Sequence, residues 1–324
     1  MQLTVLSGAE VERCLDMATA IELVAGAFAA LSEGRADVPL RARIAGPRGA
    51  TLFMPVRLPG PGGDAVATKV VSVFPENPDR GRPSVHAAIL LLDPDTGAPA
   101  ALMEGTGLTA LRTGAASGVA TRLLAREDAR VLAVFGAGAQ ARTQIEAVRC
   151  VRSIEEVRVV SRSGRSARRL AAELVGVSAR PVSDSRDALA GADVVVAATD
   201  SSSPVFAGRS VEPGTHVNGV GSFTPLMREV DGELVARATV VVDSRESARA
   251  EAGDLVGAVE EGWIGWDHVH AELGEIVSGA RPGRTTPDEV TFFKSVGSAV
   301  QDAATARRVL DEARRLGLGT TVEL

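Results

Sequence analysis

The segment that most constrains this chain is Val131-Leu-Ala-Val-Phe-Gly-Ala-Gly-Ala-Gln-Ala141, five mostly apolar residues running into Gly136-x-Gly138-x-x-Ala141. The order is strand, tight turn, helix. Gly136 permits the turn, Gly138 lets a pyrophosphate approach the backbone, and the small Ala141 lets the helix pack close to the strand. The helix N-terminus then presents free N–H groups and a positive dipole end to an anion. A glycine-rich turn alone is weak evidence, because such turns are common. Here a second apolar run, Val157-Arg-Val-Val160, arrives about 20 residues past the turn, as a βαβ unit requires. Gly136, Gly138, Ala139 and Gln140 are therefore candidate dinucleotide-binding residues.

The length of 324 residues suggests two domains. No apolar run approaches the roughly 18 residues of a membrane span, and no basic segment followed by an apolar one marks a secretory signal. Cys14 and Cys150 form neither a disulfide framework nor a metal pattern, which fits a reducing cytoplasm. A net charge of −6 argues against a general nucleic-acid binder. Any anionic ligand must then be held by local cations. Of 35 basic residues only two, Lys69 and Lys294, are lysine. In a chain so biased toward arginine, the two lysines are candidates for places where a compact ammonium fits and a guanidinium does not.

Along the chain, residues 16–31 have helical apolar spacing. Residues 38–93 read as β-rich, with strands over Thr51–Pro55, Ala65–Val73 and Val85–Leu92 and turns over Pro59–Asp64 and Asp93–Gly97. Residues 108–125 read as a helix leading into the dinucleotide unit. From 129 to about 243 strands and helices alternate, with further strands at 192–198, 216–220 and 239–243. This is the pattern of a doubly wound parallel sheet in an α/β protein. A long amphipathic helix closes the chain, from 297 to 316.

The residue ending the second strand of such a unit separates the two nicotinamide cofactors. An acidic residue binds the ribose 2′-hydroxyl of NAD, and a neutral residue with a nearby arginine accommodates the 2′-phosphate of NADP. Here the strand ends in Ser161-Arg162-Ser163, so NADP(H) is expected to be preferred, with NAD(H) as the alternative.

Further motifs go beyond a generic fold. Phe53-Met-Pro55, Ala67-Thr-Lys-Val-Val71 and Leu108-Thr-Ala-Leu-Arg-Thr-Gly-Ala-Ala116 precede the Gly136 turn, and Phe293-Lys-Ser-Val-Gly-Ser-Ala-Val-Gln-Asp302 lies near the C-terminus. In this order they resemble the ornithine cyclodeaminase/mu-crystallin family over essentially the whole chain. The resemblance implies a Rossmann domain, 118–299, beside a mixed α/β substrate-binding and dimerisation domain built from 1–117 and 300–324. It also implies a homodimer made through the sheet of the second of these. The family's substrate carboxylate is gripped by residues that fall here on Arg41, Lys69 and Arg112, with Arg43 the alternative to Arg41. Thr113 and the segment Ser295, Val296 and Gly297 would contact the cofactor, and that segment also reads as an anion nest. No metal is implied.

In the cyclodeaminases and alanine dehydrogenases of the family, an aspartate after the Rossmann core handles protons. The matching stretch here is Val217-Asn-Gly-Val-Gly-Ser-Phe-Thr-Pro225, which sets Ser222 at that place. A serine hydroxyl is no base near neutral pH without an activating partner. The Gly-Ser-Phe-Thr-Pro-x-Met-Arg-Glu run resembles the bacterial reductases of the cyclic ketimines Δ1-pyrroline-2-carboxylate and Δ1-piperideine-2-carboxylate. That implies a small cyclic imino acid as substrate, with Lys69 and Ser222 as the catalytic pair and Ser222 as a relay through water. His86 is a further candidate acid. A cyclodeaminase or alanine dehydrogenase would need a replacement carboxylate, for which Glu76, Glu104 and Glu229 are the candidates. The remaining alternative is a non-catalytic protein that binds NADPH or a small ligand.

Overall fold

Two sheets organise the protein. The structure, a computed structural model, describes residues 2–60 and 63–323. It divides into one unit of Met1–Arg112 with Ser298–Leu324 and a second of Thr113–Gly297. The sequence boundaries of 117/118 and 299/300 thus become 112/113 and 297/298.

Among the described residues, the first unit carries a seven-stranded mixed sheet. Its strands are β1 (Gln2–Leu6), β2 (Ala42–Gly46), β3 (Gly49–Leu58), β4 (Ala65–Val73), β5 (Val85–Leu92), β6 (Pro99–Glu104) and, from the far end of the chain, β15 (Thr320–Glu323). They lie in the order β15-β1-β6-β5-β4-β3-β2. All pairs are antiparallel except β1 with β6. The centre of the expected Pro59–Asp64 turn, residues 61 and 62, lies outside the described residues. Strict alternation turns Leu52, Met54 and Val56 of β3, and Ala67, Lys69 and Val71 of β4, onto the buried face. Against this unit's core pack α1 (Gly8–Cys14), α2 (Met17–Ser32) and α11 (Ala299–Leu316). Asp16 caps α2 by accepting from the Thr19 amide at 2.8 Å. In α2, Ala20, Ile21, Val24, Ala27 and Phe28 form the apolar stripe. α3 (Thr106–Leu124) contains the boundary between the units.

The second unit is an eight-stranded sheet whose recorded pairs are all parallel. Its strands are β7 (Val131–Phe135), β8 (Glu156–Val160), β9 (Ser178–Val182), β10 (Val194–Ala197), β11 (His216–Gly219), β12 (Thr239–Val242), β13 (Val269–Glu272) and β14 (Thr291–Lys294). Its helices are α4 (Ala139–Val151), α5 (Arg165–Glu173), α6 (Ser185–Leu189), α7 (Gly232–Arg237), α8 (Arg245–Glu251), α9 (Gly253–Glu260) and α10 (Leu273–Val277). The strand order is β13-β12-β14-β11-β10-β7-β8-β9. Read from β9, the first five follow the doubly wound order 3-2-1-4-5, with its switch point between β7 and β10. Both faces are buried, so the strands are near-continuous apolar runs. Ala133, Phe135, Val195 and Ala197 enter one core, and Leu132, Val134, Val194 and Val196 the other. No single helix among the described residues is long and apolar enough to cross a membrane.

Gly114 fixes how closely α3 approaches α4. A Cβ there would lie 2.5 Å from the carbonyl oxygen of Thr143. Helix propensity alone would favour alanine by about 1 kcal/mol, but the obstruction is backbone and cannot swing away. Gly114→Ala should therefore lose stability, by roughly 1–3 kcal/mol as overpacking does. A urea midpoint that rises instead would show that the two helices part at no cost.

Candidate active site

In the first unit, two chain-distant side chains meet around one carboxylate. Lys69 sits mid-way along β4 on its buried face, opposite Met54 of β3 and Ile89 of β5. Its Nζ lies 2.7 Å from Asp302 Oδ2, with both side chains essentially inaccessible. Arg112, in α3, donates from Nε to the other oxygen of Asp302 at 2.9 Å and from Nη1 to Gln301 Oε1 at 2.8 Å. Gln301 in turn donates to the Arg112 carbonyl at 3.2 Å, which locks the guanidinium plane. Gln301 and Asp302 stand in the first turn of α11, where the helix dipole favours a carboxylate. Lys69 Nζ meets Asp302 in a short, buried, charge-assisted contact. That contact engages one of the three N–H donors of the ammonium.

Burial, with the Arg112 charge beside it, pulls the Lys69 ammonium down to about 7, while Asp302 holds it up and Arg41 lowers it further. Arg41 is half-buried just before β2, and its charge reaches Lys69; Arg43 is exposed on β2.

In the second unit, Gly136 follows β7 with φ +108°, and a Cβ there would overlap the Ala198 carbonyl just after β10. Only glycine allows this approach at the switch point. Gly138 is the N-cap of α4 and caps it with no side chain, and a Cβ there would meet nothing within 4 Å. Ala139 is exposed, Gln140 is half-buried with an unpartnered Oε1 among the described residues, and Ala141 is fully buried in the core. Thr113 is buried in α3. The cradle suits a pyrophosphate: a backbone open on the Gly138 side and helix N–H groups without a side-chain cap.

At the end of β8, the Ser161 hydroxyl accepts from the Ala167 amide at 3.0 Å and from Ser166 Oγ at 3.2 Å, so it braces the start of α5. Arg162 and Ser163 are exposed, and Arg162 pairs with Asp200 at 3.3 Å.

Two expectations are corrected by this unit. Ser222 was expected to relay protons through water, but it is fully buried. Its hydroxyl donates to Asp254 in a short hydrogen bond and accepts from Lys294 Nζ at 2.7 Å. Lys294 also donates to the Ser222 carbonyl at 2.6 Å and lies 2.9 Å from Asp254 Oδ2. The serine therefore ties down its own loop, and Thr224, two residues on, keeps a partly exposed side chain. The second correction concerns the anion nest at Ser295, Val296 and Gly297. It is filled by the protein's own Asp243, which accepts from Ser295 Oγ at 3.0 Å and from the amides of Val296 and Gly297 at 2.9 and 2.8 Å. A cofactor would meet this segment through other atoms than those N–H groups.

Of the candidate replacement carboxylates, Glu104 and Glu229 are taken up by backbone amides. Glu76 is exposed and Glu104 is turned onto the amides of Thr106 and Gly107. Glu229 is fully buried, accepting from Thr199 N and Oγ1 and from the amides of Gly221 and Ser222. Burial raises its pKa, with Lys294 opposing. For Asp254 burial also pushes upward, but the Lys294 charge and the hydrogen bonds from Ser222, Val230 and Glu229 outweigh it and hold the group low. His86 is exposed on β5. His216 is buried, its imidazolium disfavoured by burial down to about 3, with Nδ1 2.9 Å from Thr291 Oγ1. His268 and His270 contact backbone carbonyls, and no group of metal-ligating residues occurs among the described residues. Sequence reasoning missed Asp302, Gln301, Asp254 and Asp243. An acidic residue in the first turn of a long apolar-faced helix was the one available signal, for Asp302.

A profile of the ornithine cyclodeaminase/mu-crystallin family matches residues 1–316. The chain belongs to that family. It is 39% identical to a Δ1-pyrroline-2-carboxylate reductase of Bacillus cereus over 98% of this chain and 99% of that one. Its fold matches the Thermococcus litoralis Δ1-pyrroline-2-carboxylate reductase, solved with NADH and L-proline, at TM-score 0.96 and 45% identity, covering 98% of this chain and all of that one. It matches an archaeal alanine dehydrogenase dimer with bound NAD at TM-score 0.95 and 36% identity, over the full length of both.

The buried Lys294–Asp254 pair can be tested without substrate. Asp254→Asn leaves an ammonium buried and uncompensated, which should cost about 3–5 kcal/mol. Removing the charge as well, in Asp254→Asn with Lys294→Met, should recover a large part of it. Equal urea midpoints for the single and double variants would show that the charge is not what matters.

Proposed function

We propose that this protein is an NAD(P)H-dependent reductase of cyclic ketimines, converting Δ1-pyrroline-2-carboxylate to L-proline and Δ1-piperideine-2-carboxylate to L-pipecolate. The observation that carries the reading is the buried Lys69–Arg112 pair around Asp302, whose cations suit a small carboxylate. The reductases of Bacillus cereus and Thermococcus litoralis, similar over nearly the whole chain, name the same chemistry.

A reduced nicotinamide, when bound, supplies the hydride that C2 of the imine accepts. The chain's own residues do the rest. Arg112 presents a guanidinium held in one plane, Lys69 adds a point charge, and Arg41 completes the positive field around the carboxylate. A cyclic imine protonated in solvent is already electrophilic, so reduction asks mainly for position and anion binding. Ornithine cyclodeamination asks for a positioned carboxylate to take and return protons, and Glu229 and Asp254 are both committed to backbone and Lys294.

The proposed cofactor preference is NADPH over NADH. β8 is followed by Ser161 rather than by a carboxylate. The Arg162–Asp200 pair is almost fully exposed, and such pairs are worth about 0–1 kcal/mol. A 2′-phosphate can therefore take over Arg162 cheaply. The reading includes a cytoplasmic homodimer made through the first unit's sheet, where Leu40 and, on edge strand β2, Ile44 are exposed.

A spectrophotometric assay of NADPH oxidation decides the function. Both imino acids should be reduced, and ornithine should yield no ammonia. Ammonia release at rates matching imine reduction would return the protein to the cyclodeaminases. For the cofactor, Arg162→Ala should raise the KM for NADPH by about 10–100-fold, the worth of one charged phosphate contact, and leave that for NADH nearly unchanged. Equal effects on both cofactors would remove the argument for NADPH.

A further inference from the structure

Among the described residues, the carboxylate of Asp302 is the anion that meets the cations Lys69 and Arg112, one on each oxygen. Oδ1 takes Arg112 Nε at 2.9 Å and Oδ2 takes Lys69 Nζ at 2.7 Å. The charged groups that reach Lys69 are Arg112 from α3, Asp302 from α11, and Arg41 from the segment before β2. Its strand neighbours, Met54 and Ile89, are apolar. Without Asp302, a fully buried ammonium would face only like charges, and the neutral amine would be favoured.

We propose that Asp302 is a positioning residue of the substrate clamp, which orients Arg112 and keeps Lys69 an ammonium ready for an anionic substrate. The inference rests on the reductase reading for the identity of that anion, and not for the tie itself. Asp302 aligns both donors before the substrate arrives. Asp302 engages one of the three N–H donors of the Lys69 ammonium, which leaves the others for a substrate anion. The substrate carboxylate then brings a second negative charge to a site that already holds its cations in place, so little reorganisation remains.

The chain has only two lysines, so protein grown with [13Cε]lysine carries two side-chain signals, and Lys69→Met identifies the one from Lys69. In the wild type that signal should titrate at about 7. In Asp302→Asn it should titrate lower by about 1–3 pH units, the effect of losing an adjacent opposite charge. The sign for activity follows. The variant's kcat/KM for the imino acid should be depressed at pH 7 mainly through KM, and should recover as the pH falls and Lys69 regains its proton. A merely structural Asp302 would lower kcat/KM equally at every pH and leave the titration of the folded variant unmoved, and either result overturns the proposal. If Asp302→Asn does not fold, Asp302→Asn with Lys69→Met decides. Recovery of folding supports action through Lys69, and failure to recover overturns it. Should the wild type reduce no imine, the function is wrong while the titration still judges Asp302. An unmoved titration in an active enzyme sinks only this proposal.

Discussion

A buried ammonium is among the costliest groups a fold can hold, and this protein holds two, each against an aspartate. These are also its only lysines. A guanidinium is broad and planar and spreads its charge over five donors. An ammonium is a point that fits between two strands or under a loop. The arrangement in each unit follows from that difference. In the second, Lys294 converges on the Gly219 and Ser222 carbonyls, the Ser222 hydroxyl and Asp254, so the chain after β11 is held by a single charge. In the first, Lys69 occupies a core position on β4 that its neighbours Ala67 and Val71 fill with apolar groups. Neither pair is a cheap source of stability. Each fixes where a loop or a guanidinium must sit.

The parallel sheet was legible because its strands are buried on both faces and announce themselves as apolar runs. β7, β8, β10, β11 and β12 were all expected, within a residue or two of their ends. β14 was not read as a strand, although it lies between β11 and β12. It is four residues long and ends in Lys294, so no alternation could reveal it. In the first unit β4 and β5 have the expected bounds, and β3 extends from Gly49 to Leu58 beyond the segment read around Met54. β15 is exposed along its length and has no apolar pattern to read.

The candidate site was legible in a different way. Residue type and motif pointed to Lys69, Arg112 and the Gly136 turn, each a local feature. What escaped were the partners, because a partner is defined by a contact and contacts here span 189 or 190 residues, as for Arg112 with Gln301 and Asp302. Ser222 shows the converse error. Its chemistry was inferred from its place in a motif, yet a hydroxyl's role depends on what it faces. Facing Lys294 and Asp254, it braces a loop.

The same distinction separates the two anion-binding backbones of the second unit. The turn at Gly136–Gly138 and the segment Ser295–Gly297 both read from sequence as places where backbone could hold an anion. Asp243 satisfies the second from within the chain at three short contacts. A buried carboxylate with that many donors is not displaced by a phosphate, because releasing it would leave a desolvated charge unpaired. At the first, Gly138 offers no side chain and α4 begins uncapped. Of these two segments the turn is thus the one without a carboxylate of its own, and Gly136, which approaches the Ala198 carbonyl closely, sets it at the switch point of the sheet.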